Sequence, residues 1–517
     1  MTKNRNLSFL LGIMGSFLFL MAACSKQDKG PSGDTTSSTA QVLSGGTKTL
    51  VYSLSNDLEH FDPFTNQTLT FIKTVGYNCY ESLLHIGENM EYVPDLAISW
   101  EHPDPLTYIF KLRQGVKFHN GNFMTAEDVK FSFEHALNPE TASWFAAFFS
   151  GISAIDVVDA ETVRFSFSKI SNTFLDNVAM LKIINKGTEA GLKQKPIGTG
   201  AFKFVQWLPN DNTTLERFDD YWDVGVVNLD KIVLKPLPDK RIQLTNLTSG
   251  TVNLVEDLPL SEIETVEGNA NLQVLQSKSS NSTILIEVGR HNVPAFKDPR
   301  VMAALGHALD KEAINRSVYG NLAKVIWSPY PTGTKYYKNI SGNAYDLEKA
   351  KELLTEAGFA SGLTFDFYIA TGFVEWEKIA VIYQADLRKI GVIMNIKKVE
   401  FSEWLDNYLN RTYHMIVNQY PMGGTDPAVY NNIILTQLEP YQLNDLPEIS
   451  RLIKEGAEEG NDARRVEIYG RIQDLVFEYK PIISVVEAPL LYGASANLHG
   501  IVLNPVGHTF LKAAYFE

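Results

Sequence analysis

Cysteine is nearly absent from this chain: Cys24 and Cys79 are the only two in 517 residues. No disulfide framework staples the fold, and no Cys-x-x-Cys pair offers a zinc or redox centre. Positive charge is also short, with 46 Lys and Arg against 60 Asp and Glu and a net charge of −14. An acidic surface repels phosphate backbones, which excludes nucleic acid as a partner. The common catalytic signatures are missing: there is no His-Glu-x-x-His, no Gly-x-Ser-x-Gly and no Walker phosphate loop. Gly198-Thr199-Gly200 has no third glycine in register and reads as a tight turn before a strand. The ten histidines are scattered, so His60 and His119 read as surface or capping groups rather than metal ligands. Acid pairs such as Glu101 with Asp104 are expected by chance among 60 carboxylates. The chemistry that is missing points to binding rather than turnover, with no metal and no cofactor.

One long apolar run is present, and it lies at the start. Lys3 and Arg5 precede an apolar stretch from Leu7 to Leu20, and Met21-Ala22-Ala23 leads into Cys24. Cations, a short apolar core and small residues make a secretory signal. The run is shorter than the roughly 20 residues that span a bilayer. A cysteine directly after the small residues predicts a lipoprotein: residues 1–23 are removed and Cys24 is acylated. Lys3 and Arg5 leave with the signal, so the net charge moves from −14 to −16. Cys79 then has no partner within the chain. Its neighbours Tyr77, Tyr80 and Leu83 predict a buried, inert thiol.

Residues 24–46 are rich in Ser, Thr, Gly and Asp without a hydrophobic period and read as a flexible linker. The folded part begins with a strand near Thr49–Ser53. Thr125 with Asp128 predicts a capped helix start, and Asp298-Pro299 predicts another. Leu347, Ala350, Leu354 and Ala357 form an apolar stripe that stops at Gly358. Trp376, Ile379, Ala380, Tyr383, Leu387 and Ile390 form a longer one that stops at Gly391. Strand patterns at Leu363–Ile369 and Val392–Val399 flank that helix. Strand, helix and strand with short connections make a βαβ unit, so the fold class is α/β.

Several blocks then resemble one family. Tyr80-Glu81-Ser82-Leu83 is followed by Pro94-Asp95-Leu96-Ala97-Ile98-Ser99-Trp100. Tyr108-Ile109-Phe110-Lys111-Leu112-Arg113 leads to Gly115-Val116-Lys117-Phe118-His119 and then Thr125-Ala126-Glu127-Asp128-Val129. Pro196-Ile197-Gly198-Thr199-Gly200-Ala201 has Ala201 where the family has proline. These blocks resemble the extracytoplasmic solute-binding proteins of ATP-driven importers, family 5, which take peptides or nickel. The resemblance covers residues 47 to 517. It implies a two-lobed periplasmic-binding-protein (Venus-flytrap) fold: lobe one over 47–283, with an extra subdomain near 91–186, lobe two over 284–484, and a return to lobe one over 485–517. Thr283–Gly289 and Ile482–Ala488 are the expected hinge strands. It also implies a monomer that holds solute between its lobes and docks on permease subunits driven by an associated ATPase. Its place would be the cell envelope, on the periplasmic or extracellular face, tethered to the membrane through the N-terminal lipid.

The ligand is where this sequence departs from the family pattern. Peptide-binding members carry an Asp four residues before a Pro, which pairs with the peptide's amino group. Four before Pro427 stands Gly423. A buried ammonium without a counter-charge is costly, so the free-amine mode is weakened. Asp426 reads as the N-cap of a helix from Pro427 rather than as a substitute. Some nickel-binding relatives have His after this Asp-Pro; Ala428 stands there instead. Tyr420, Met422, Gly423 and Gly424 would form a flat, uncharged floor with an aromatic wall, and plain core packing is the equal alternative for Tyr420. That floor suits an oligosaccharide or an uncharged stretch of peptide. Asn66, Gln67 and Thr68 from lobe one, with Thr371 and Gly372 from lobe two, complete the expected contacts. A solute sensor or adhesion lipoprotein on the same scaffold is the alternative from another class.

Overall fold

In the computed structural model the described residues are 48–280, 282–421, 424–438 and 443–517. The signal, the linker, Cys24, Met422 and Gly423 lie outside them.

Two mixed sheets organise the chain. The first has seven strands in the order Leu272–Gln276, Leu491–Ser495, Leu254–Val255, Thr49–Leu54, Lys231–Pro236, Asn212–Arg217 and Phe202–Leu208. The second has six, in the order Lys324–Val325, Ile482–Glu487, Ser282–Val288, Met415–Pro421, Leu363–Ala370 and Val392–Val399. The expected βαβ unit is there: Leu363–Ala370 and Val392–Val399 pair in parallel, joined by the helix Val374–Lys389. Gly391 ends that helix at φ +82°, a conformation that costs glycine little.

The chain passes between the sheets twice, between Gln276 and Ser282 and between Glu487 and Leu491. The two passages run side by side. Ser277 N donates to Leu490 O at 3.1 Å, and Ala488 N donates to Ser282 O at 2.8 Å. The expected hinge strands are therefore displaced. Ser282–Val288 and Ile482–Glu487 are central strands of the second sheet, and the crossings lie just outside them. An extended apolar run has two readings, a crossover or a strand buried on both faces, and pattern alone does not separate them. The second sheet accordingly extends past the expected boundary at 484.

A third, four-stranded antiparallel sheet has the order Ala97–Asp104, Thr107–Leu112, Thr162–Phe167 and Ile152–Asp159. Helix Ala126–Leu137 packs on it, and Thr125 and Asp128 form the expected capping box, with Thr125 N donating to Asp128 Oδ2 at 3.0 Å. This sheet has no core of its own. Phe110, Phe133, Phe165 and Phe174 join the same buried cluster as Leu50, Tyr52 and Ile232 of the first sheet.

Gly198 and Gly200 form the expected turn for a specific steric reason. A Cβ on Gly198 would stand 2.1 Å from Cys79 O, and one on Gly200 2.5 Å from Asn78 O. Cys79 itself is wholly buried, and burial pushes its thiol pKa up.

Candidate functional site

The two halves meet across a set of buried polar contacts at one end of the second sheet. Strand Met415–Pro421 leads to Gly424-Thr425-Asp426 and the helix Pro427–Ile433. Asp426 caps that helix, accepting from Ala428 N at 2.9 Å, as the Asp-Pro signal predicts. It has a second role that the sequence did not suggest. Both its oxygens accept from Arg465, Oδ2 from Nη1 and Oδ1 from Nη2, each at 2.8 Å. Arg465 comes from the helix Asp462–Tyr479, and both side chains are about 2% exposed.

Asp176 reaches this turn from the other half. It lies in the first turn of the helix Phe174–Met180 and is fully buried. Its Oδ1 accepts from Thr425 N at 2.8 Å, Thr425 Oγ1 at 3.0 Å and Tyr92 OH at 2.9 Å. Its Oδ2 accepts from Asp426 N at 2.9 Å. Burial pushes the carboxyl up to about 6, while hydrogen bonds from the Thr425 and Asp426 amides pull the other way. Gly424 is required by this approach, since a Cβ there would stand 2.8 Å from Asp176 Cγ. A second bridge is formed by Asn172, whose Nδ2 donates to Ala457 O at 3.0 Å and Glu459 O at 2.9 Å. Those carbonyls end the helix Pro447–Glu458 and would otherwise be unsatisfied. Together these contacts tie the two halves to each other.

Among the described residues, the predicted ligand contacts other than Tyr420 fall into three groups. Asn66 and Thr68 shape the first helix of lobe one: Asn66 Oδ1 accepts from Thr68 N at 2.9 Å and Thr68 Oγ1 at 2.7 Å, and Thr68 caps Leu69–Lys73. Gln67 is half-buried beside them. Thr371 and Gly372 are exposed at the end of Leu363–Ala370, where Thr371 Oγ1 donates to Val399 O at 3.0 Å. Gly424 is buried in the interlobe contact.

Tyr420 is not an aromatic wall of an open cleft. It is 3% exposed, and its hydroxyl donates to Glu287 and meets Tyr408 OH at 2.9 Å. Glu287 also accepts from Arg411 Nη1 at 3.0 Å and Tyr413 OH at 2.6 Å. A fully buried carboxylate needs this many donors, and they draw the Tyr420 ring inward.

Sequence reasoning missed Asp176, Tyr92 and Arg465. Asp176 is 249 residues from Thr425, and nothing local to either links them. The one trace was Gly424, a glycine outside any turn requirement.

Two α/β halves joined by two adjacent crossings and closed on each other define a two-lobed binding protein. The comparisons with known proteins agree. The family described as "Bacterial extracellular solute-binding proteins, family 5 Middle" matches residues 91–440. This chain belongs to that family. Heme-binding protein A of Haemophilus influenzae is 26% identical to it, over 95% of each chain. The dipeptide-binding protein of Escherichia coli is 27% identical, over 89% of this chain and 93% of its own. Among solved structures, the ABC transporter substrate-binding protein CtaP of Listeria monocytogenes superposes with a TM-score of 0.81. It is 26% identical, covering 90% of this chain and 99% of its own. No helix among the described residues is long and apolar enough to cross a membrane.

Proposed function

We propose that this protein is the lipid-anchored solute-binding component of an ATP-driven importer. It captures a peptide or peptide-sized solute between its two lobes and delivers it to a permease. The observation that carries this reading is mechanical. The chain crosses between the halves at two neighbouring places on one side, while Asp176 and Asn172 bridge them elsewhere. Solute that touches both halves would favour closure by its differential affinity for the closed form. The dipeptide-binding protein of Escherichia coli supports a peptide, while heme-binding protein A shows that relatives also take other solutes. Gly423 argues that such a peptide is not held through its amino group by the usual carboxylate.

Native mass spectrometry of the protein purified from cells, before and after denaturation, tests the reading. A released ladder of peptide masses is expected. A hexose-spaced ladder would replace the peptide by an oligosaccharide. Gly423→Asp is expected to create or improve affinity for free-amine peptides in a calorimetric titration. No gain would remove Gly423 from the amine position.

A further inference from the structure

Behind the Asn66 loop lies a small pocket with two unspent polar groups in its lining. Its volume is about 30 Å³, and Phe71, Ile72 and Met180 supply apolar walls. One water needs roughly 10–15 Å³ by this measure, so the space suits about two oxygen-sized atoms. Four nitrogen-bearing side chains line it: Lys182, Trp144, His508 and Asn66, and the Asn66 amide is already spent on His60 O and Thr68. Trp144 Nε1 and His508 Nδ1 are buried with no hydrogen-bond partner among the described residues. The indole N–H is a donor only, and the neutral imidazole places its proton on whichever nitrogen finds an acceptor.

Lys182 is 4% exposed. Its Nζ donates to Ser82 Oγ at 3.0 Å and stands 3.0 Å from the centroid of the Tyr77 ring, on which His508 also stacks. No carboxylate among the described residues comes within ion-pair distance of it. Asp95 lies beside His85 at 3.7 Å, and Glu81 accepts from Tyr221 OH at 2.7 Å and Trp222 Nε1 at 3.1 Å. Burial pulls the ammonium pKa well down, with Asp95 and Glu81 only partly offsetting it. A buried cation held by a hydroxyl and an aromatic face is under-compensated. Three donors, a missing acceptor and room for two oxygens describe the complement of a carboxylate.

We propose that this pocket takes a carboxylate, held by Lys182 Nζ, Trp144 Nε1 and His508 Nδ1, and that it selects acidic solutes from the lobe-one side. The second half of this proposal rests on the reading of the protein as a solute binder. The pocket is placed for that task. Met180 is one helical turn from Asp176, so the pocket wall and the interlobe contact share a helix face. Asn66 lines the pocket next to Gln67 and Thr68, the expected lobe-one contacts.

Two measurements test it on the full chain. Formate, which carries a carboxylate and little else, is compared with chloride at equal ionic strength in thermal melts. Formate at 0.1 M is expected to raise the wild-type Tm by about 2 °C and to leave Lys182→Met unmoved. Trp144→Phe removes one donor while keeping the packing, and at least halves the shift. It answers the same question if Lys182→Met does not fold. No formate shift, or an equal shift in wild type and variants, overturns the pocket. Calorimetry then compares the dipeptide Ala-Phe with its C-terminal amide. A tenfold or greater loss for the amide, abolished by Lys182→Met, supports solute selection. Equal binding of both overturns that part. A Lys182-dependent formate shift without any peptide binding keeps the pocket and removes the peptide reading instead.

Discussion

Asp176 brings a full negative charge into a buried interlobe contact, and its surroundings decide what that costs. Four donors satisfy it, yet burial still pushes it up to about 6. A carboxyl that binds its proton more tightly when enclosed favours enclosure as it protonates. Its contribution is complete below the ordinary carboxylate value and is lost as pH rises through about 6. Between pH 7 and pH 4 it therefore opposes acid unfolding, by on the order of 2 kcal/mol. Asp176→Asn lacks this proton. The stability of the wild type relative to Asp176→Asn is expected to rise as pH falls over that range, read from urea midpoints at pH 7, 6, 5 and 4. A constant difference would show that Asp176 is not enclosed in solution. None of this was legible at Asp176 itself, which sits in sequence as an ordinary first-turn acid. Thr125 and Asp128 were legible, because a capping box is complete within four residues.

At the scale of elements, local signals set the starts and stops of helices. Asp298 accepts from Arg300 N at 2.9 Å to open Pro299–His307, and Gly358 at φ +87° follows Leu347–Glu356. These features need only neighbouring residues. The docking of one helix on another does not follow from them. Helix Pro427–Ile433 is tied to Asp462–Tyr479 through the Asp426–Arg465 pair, with both partners buried. Arg465→Met leaves the Asp426 carboxylate buried without its cation and is expected to destabilise by roughly 3–5 kcal/mol. Asp426→Asn combined with Arg465→Met is expected to recover part of that loss, since it removes the stranded charge. Urea unfolding of both variants checks this. A double variant no better than the single one would mean that packing, not charge, dominates at this contact.

For the whole molecule, the two halves share a hinge but differ in what closes them. The crossings are held by backbone bonds between Ser277 and Leu490 and between Ala488 and Ser282, which any sequence of suitable size can make. Closure depends on particular side chains, Asp176 and Asn172. The proposed attachment to the envelope rests on a different part of the chain. Cys24→Ser is expected to shift the protein from the membrane fraction to the soluble fraction. Retention in the membrane fraction would sink the lipid anchor.

The amino-acid sequence by itself determined the α/β class, the family and the positions of the main caps. Each of these is written in residues that are near neighbours or in blocks of fixed spacing. It also showed glycine at 423, four residues before Pro427, where the family resemblance implies an amine-pairing carboxylate. The tertiary structure alone decided that the apolar runs at Ser282–Val288 and Ile482–Glu487 are buried strands beside the crossings. It alone turned Tyr420 inward to Glu287 and set Asp176 against Thr425. It alone gathered Lys182, Trp144 and His508 around one pocket. The physical reason is common to all of these. Burial and pairing of charge depend on residues hundreds of positions apart, and a charge's cost is set by what surrounds it in space.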